Sequence, residues 1–190
     1  MCTDPNGGDR INSFALVSYL PNPLAAFLDS LRQHLVPNCF LRAHVTVLPP
    51  RPLRVPPKEA FEQVCSLAAN FQPFEIELAG VDVFPVSDVV HITIGKGREE
   101  LQALHEALNR GGLWHAEPYP YHPHITLAQD LKPDELDELA RVARERWDEF
   151  PNHRTFQVDA LTFVQNTRCG WIDLGEHRLS EYAECPVPVT

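Results

Sequence analysis

The chain is poor in lysine. Only Lys58, Lys96 and Lys132 occur among its 190 residues, and the formal net charge is −10. A protein that grips duplex DNA without regard to sequence needs a basic face that neutralises several phosphates. The scattered arginines supply none, so duplex DNA is excluded as a partner. A small nucleotide or an RNA end, held in a local pocket, stays compatible with this charge. No apolar run approaches the roughly 20 residues that span a bilayer, so no membrane partner is expected. Residues 1–9 lack both a basic region and an apolar core, so no signal peptide is expected. The five cysteines are odd in number and include no Cys-x-x-Cys pair. Neither a disulfide framework nor a zinc knuckle is expected from them, and a reducing cytoplasm is the compartment they imply. A Gly-x-Ser-x-Gly elbow and a phosphate-cradling glycine loop are missing as well.

One short motif, by contrast, is said twice. His44-Val45-Thr46 and His124-Ile125-Thr126 lie 80 residues apart, each in an apolar run that reads as a β-strand. Side chains alternate faces along a strand, so His and Thr at i and i+2 point the same way. By the same alternation Arg42, His44 and Thr46 share one face, and His122, His124 and Thr126 share another.

Around these strands the pattern predicts Phe14–Leu20 as a strand and Leu24–Leu35 as a helix, with Asn22 as its cap and Pro23 at its first position. Lys58–Asn70 reads as a second helix. Phe74–Phe84 and Val89–Ile94 read as strands, and Glu99–Asn109 as a third helix closed by Gly111-Gly112. A helix from Pro133 to about Phe150 follows. Phe156–Val164 and Trp171–Leu174 close the chain as strands, with 180–190 as a loose tail.

Helix, His-x-Thr strand, helix, strand, strand thus occurs over roughly 24–94 and again over 99–174. The implied architecture is α+β and bilobal. Two pseudo-twofold-related lobes of antiparallel sheet, with flanking helices, would surround a central cleft within a single domain of 190 residues. His44 and His124 are equivalent in this repeat, as are Arg42 and His122. A third copy, His91-Ile92-Thr93, aligns with Trp171-Ile172-Asp173. It has no symmetric partner and is expected to lie outside the chemistry, either as a solvated strand residue or as part of the cleft wall. Tyr19, Tyr121, Phe84 and Trp171 are further candidates for that wall.

Two imidazoles suit the hydrolysis of a cyclic phosphodiester. One takes a proton from the attacking water and the other gives a proton to the departing ribose oxygen, with an imidazole pKa of about 6.5 close to working pH. Hydroxyls of Thr46 and Thr126 could hold the non-bridging oxygens, and Arg42 could add a forked contact to phosphate. Neither a metal nor a cofactor is needed.

In these residues the chain resembles the two-histidine phosphoesterases, which include bacterial 2′-5′ RNA ligases and RNA 2′,3′-cyclic phosphodiesterases. The resemblance rests on His44-Val45-Thr46-Val47-Leu48, on Pro123-His124-Ile125-Thr126-Leu127-Ala128, and on Val164–Leu179 with its Gly170-Trp171. It covers nearly the whole chain. It implies a bilobal, metal-independent enzyme in which His44 and His124 are acid and base and Thr46 and Thr126 hold the phosphate, acting on a small nucleotide or RNA end. Many members have an arginine where this chain has Gln129. A monomer is the simplest assembly. Two other readings stay open: a nucleotide-binding protein without turnover, and a metal hydrolase using His122, His124 and His115 or His44.

Overall fold

The computed structural model describes residues 10–37, 39 and 41–180. The expected tail, from 181 onward, lies outside the described residues, as do Cys2 and Cys185. In chain order the elements are β1 (Arg10–Tyr19), α1 (Leu24–Leu35), β2 (His44–Arg51), α2 (Pro57–Ala68), β3 (Phe74–Val83), β4 (Val90–Ile94), α3 (Arg98–Leu108), β5 (His124–Ala128), α4 (Leu136–Asp148), β6 (Thr155–Val158), β7 (Ala160–Thr167) and β8 (Gly170–Arg178). They build two four-stranded sheets with strand orders β2-β1-β7-β8 and β5-β4-β3-β6. Every strand pairing among the described residues is antiparallel.

The helices cover the sheets with the faces their periodicity predicts. α1 buries Leu24, Leu28, Leu31 and Leu35, and α3 buries Leu101, Leu104, His105 and Leu108. One hydrophobic cluster runs from Leu16 and Val47 in the first sheet to Ile76 and Ile92 in the second, so burial of apolar area ties the two sheets together. The cap position of α1 falls on Pro23, one residue later than expected, and carries no side-chain cap bond; Asn22 Oδ1, just before it, accepts the Ala26 N–H at 3.2 Å. β1 is buried on both faces. Phe14 and Leu16 enter the shared core, while Ala15 and Val17 join Val164 in a small second cluster against Tyr19 and Trp171. Those short side chains leave room above the sheet.

Two expectations need correction. Phe156–Val164 is two strands, not one. β6 pairs with β3 and β7 pairs with β1 and β8, so the chain changes sheet at Asp159. The cause is legible afterwards: Phe156 and Val158 are buried, then Leu161 and Phe163, so the period of two slips by one residue. Such a slip flips every later side chain to the opposite face.

The repeat also divides differently. β1 stands beside β2 as β4 stands beside β5, and β7 stands beside β1 as β3 stands beside β4. The repeating unit therefore begins at β1, and each unit gives its last strand to the other sheet. Cross-strand pairs are Tyr19↔His44 and Val17↔Thr46 in one sheet, Thr93↔His124 and His91↔Thr126 in the other. His91 thus corresponds to Val17, and Trp171 of β8 pairs with Asn166 of β7. The expected match of His91 with Trp171 failed because the repeat was started at α1, which left β1 without a counterpart. The cysteines bring a further correction: Cys169 is disulfide-bonded. Cys39 is a free thiol, and Cys65 is buried. No helix among the described residues is long and apolar enough to cross a membrane.

Candidate active site

Both His-x-Thr strands are edge strands, and their edges border one cavity of about 570 Å³. Arg42, His44, Thr46, His122, His124 and Thr126 all line it, so alternation along each strand delivers the predicted faces to a common space. Tyr19, Tyr121, Trp171, Phe84 and Gln129 line it too. His91 does not. It is 2 % exposed and lies stacked on the Phe84 ring, with centroids 3.8 Å apart. Its reading as a cleft-wall residue is therefore replaced by one of support behind the wall. The same Phe84 ring meets His124 edge-on at 4.9 Å and His122 at 5.3 Å.

The two central imidazoles are held in the same way. His44 Nδ1 lies 2.7 Å from the Arg42 carbonyl, and His124 Nδ1 lies 2.7 Å from the His122 carbonyl. A carbonyl only accepts, so each Nδ1 carries the proton. Each neutral ring then keeps Nε2 as its basic atom, the protonation pattern a general base requires. His122 is arranged oppositely. The Arg98 guanidinium donates to its Nδ1 at 3.1 Å, so the neutral ring keeps its N–H on Nε2.

Burial sets the protonation of these rings. His124 is pushed down to about 4, first by desolvation and then by His91, His122 and His44 nearby, against the opposing pull of the His122 carbonyl. His44 is lowered chiefly by burial, and His122 by burial followed by the Arg98 charge. An imidazole depressed in the folded state binds its proton more tightly once unfolded, at about 6.5. Between those two values the unfolded chain holds more protons, so acid favours unfolding. For His124 the loss on going from pH 8 to pH 5 is about 2 kcal/mol. His124→Gln is expected to remove that part of the acid sensitivity. Urea titrations at both pH values would check it, and an identical pH dependence in the variant would contradict it.

A second set of side chains holds the cavity in shape. Tyr19 OH donates to Asp173 Oδ1 at 2.6 Å, and the Arg42 guanidinium lies 3.6 Å over the Tyr19 ring and 3.4 Å from Asp173 Oδ2. Arg42, foreseen as a phosphate contact, is therefore engaged by a carboxylate. On the other side, Tyr121 OH donates to the Thr46 carbonyl at 2.7 Å while its ring stacks on His105 at 3.9 Å. Burial raises the Tyr121 phenol, which keeps it a donor. His105 Nδ1 donates to the Val47 carbonyl at 2.8 Å. Glu117 pairs with Arg51 at 2.5 Å and stands 3.6 Å from His105 Nε2.

Asp173, Glu117 and Arg51 escaped the sequence reading. Their partners are 131 and 66 residues away, and no periodicity within one element points across such distances. The proline- and tyrosine-rich segment before β5, of which the sequence reading singles out only His115, Tyr121 and His122, lines the cavity from His115 to His122 with the exception of Ala116.

A profile of the 2′-5′ RNA ligase superfamily matches residues 20–169 of the chain. The chain belongs to this superfamily. Among similar proteins, a Halalkalibacterium halodurans protein named as a phosphoesterase is 30% identical over 140 residues, covering 68% of this chain and 78% of that one. An RNA 2′,3′-cyclic phosphodiesterase of Aeropyrum pernix is 32% identical over 96 residues, or 47% of this chain and 53% of its own length. The spans on such relatives run from 48% to 80% of their length. Among solved structures, E. coli LigT complexed with 3′-AMP superposes with a TM-score of 0.56 at 18% identity, over 90% of this chain and 100% of that one. The superfamily's bilobal α+β fold is thus present here, with its two His-x-Thr strands bordering one cavity.

Proposed function

We propose that this phosphoesterase opens RNA-type 2′,3′-cyclic phosphates, or cleaves 2′-5′ linkages, by metal-independent acid–base catalysis at His44 and His124. The observation that carries this reading is the matched presentation of the two rings. Each gives Nδ1–H to the carbonyl two residues earlier, each turns Nε2 free, and each is followed by a threonine on the same face. A binding site needs donors; it has no need of two basic nitrogens held in the same tautomer.

In the proposed reaction one neutral imidazole takes a proton from water as the oxygen attacks phosphorus. The other ring, as imidazolium, gives its proton to the ribose oxygen as the P–O bond breaks. Thr46 and Thr126 donate to the non-bridging oxygens as charge grows on them. Both rings are pushed toward the uncharged form in the empty cleft, so one must gain a proton. The phosphate supplies the cause, because a nearby negative charge favours imidazolium. With a ribose 5′-hydroxyl in place of water as the attacking group, the same two proton transfers expel the ribose 3′ oxygen and leave a 2′-5′ linkage; the reverse of that displacement, with the two roles exchanged, cleaves such a linkage.

Incubation with nucleoside 2′,3′-cyclic phosphates, followed by chromatography, tests the reading. Ring-opened monophosphate is expected, at the same rate in excess chelator, with a bell-shaped dependence on pH. Binding without turnover would return the site to a nucleotide receptor, and loss of turnover in chelator would favour histidine-bound metal.

A further inference from the structure

The cavity is unusual in charge for a site that would handle a polyanion. Among its described lining residues two are arginine, none is lysine, and one, Glu117, is acidic. Arg42 already faces Asp173 and lies on the Tyr19 ring. Arg32 is 3 % exposed and makes no carboxylate pair among the described residues; its Nη1 reaches the Arg42 carbonyl at 3.4 Å. Arg98 stands behind His122 without lining the cavity. The imidazoles of His44, His122 and His124 are held toward their uncharged forms by burial. The uncharged Gln129 lines the wall as well.

Much of the remaining wall is apolar or aromatic, including Phe84, Pro85, Val86, Tyr119, Tyr121 and Trp171, with Ser87 and His115 as further polar side chains. Val86 and Tyr119 are 74 % and 60 % exposed, so they border the opening. An anion brought against the apolar part of this wall gives up hydration and receives only a few uncharged donors in return. A planar base gives up little and gains stacking area.

We propose that this cleft selects phosphodiesters with a single phosphate and one negative charge, carried next to an aromatic group, and rejects substrates bearing further phosphates. The proposal rests on the reaction given above and narrows its substrate class from RNA ends in general to small, singly charged esters.

The test compares kcat/KM for adenosine 2′,3′-cyclic phosphate, its 5′-phosphorylated counterpart, and a trinucleotide ending in the same cyclic phosphate. The added phosphates are expected to lower kcat/KM at least tenfold in both longer substrates. Equal or higher values would overturn the proposal. Asp173→Asn, at an exposed position, frees the Arg42 guanidinium and is expected to narrow the gap for the 5′-phosphorylated substrate at least threefold. An unchanged gap would mean that size, not charge, sets the preference, and would overturn it too. If the wild-type protein turns over none of the three, the proposed reaction fails. The preference is then read by calorimetry, as binding of adenosine 2′,3′-cyclic phosphate at least tenfold tighter than its 5′-phosphorylated counterpart. Equal affinities there would overturn it.

Discussion

Alanine at either His44 or His124 is expected to lower kcat for a cyclic phosphate by about 10³-fold, since a positioned proton donor or acceptor contributes roughly 10² to 10⁴. Each loss corresponds to about 4 kcal/mol of transition-state stabilisation. The two losses should not add. Proton removal from water and proton delivery to the leaving oxygen serve one displacement, so the double variant should be little slower than either single one. His91→Leu is the contrast. That ring is buried behind Phe84, stands 5.3 Å from the His124 ring and does not line the cavity, so its replacement is expected to change kcat by less than about tenfold by altering how His124 is supported. Initial rates, with circular dichroism to establish that each variant is folded, decide the matter. Near wild-type turnover in either His44→Ala or His124→Ala would sink the proposed mechanism.

Why those two histidines could be chosen from nine is a matter of local geometry. A period of two fixes which face a side chain takes within its own strand, and every residue on the two predicted faces reached the cavity. The helical faces of α1 and α3 were legible for the same reason: their apolar spacing is a property of the segment itself. The failures all concern which segment meets which. β6 and β7 form one apolar run until the slip at Asp159 is weighed, and β1 looked like an orphan until its pairing with both β2 and β7 was seen. Arg42 is the clearest instance. Its type and its face were read correctly, but β8 carries Asp173 to it from 131 residues away and occupies its charge. A strand pattern reports the direction of a side chain and says nothing about a neighbour carried by a strand three places away in the sheet.

The same blindness hid the cluster whose loss should cost most stability. Glu117→Ala leaves the Arg51 guanidinium, 2 % exposed at its side chain, without a carboxylate. Removing one partner of a buried pair costs roughly 3 to 5 kcal/mol. Here the lower end is expected, about 3 kcal/mol, because Arg51 keeps bonds to Asn109 Oδ1 at 2.8 Å, the Leu113 carbonyl at 3.1 Å and the Pro49 carbonyl at 2.9 Å. In a chain of this size that is a fall in Tm of about 6 to 12 °C. The comparison is Arg141→Ala. Arg141 makes three hydrogen bonds to Glu138 and Glu145, more than the single one between Arg51 and Glu117, yet its side chain is 53 % exposed. Water replaces such partners, so the change should stay below about 1 kcal/mol. A number of bonds would rank the two variants one way and burial ranks them the other; thermal melts of both, side by side, separate the arguments. Turnover adds a second readout. Glu117 anchors the segment that carries Tyr121, whose hydroxyl holds the Thr46 carbonyl of β2. Loosening that segment is expected to raise KM for a cyclic phosphate as well as lower Tm, since the wall and the His-x-Thr strand are joined through it. A Glu117→Ala protein that melts within 2 °C of the wild type would show that Arg51 is satisfied by its neutral acceptors alone.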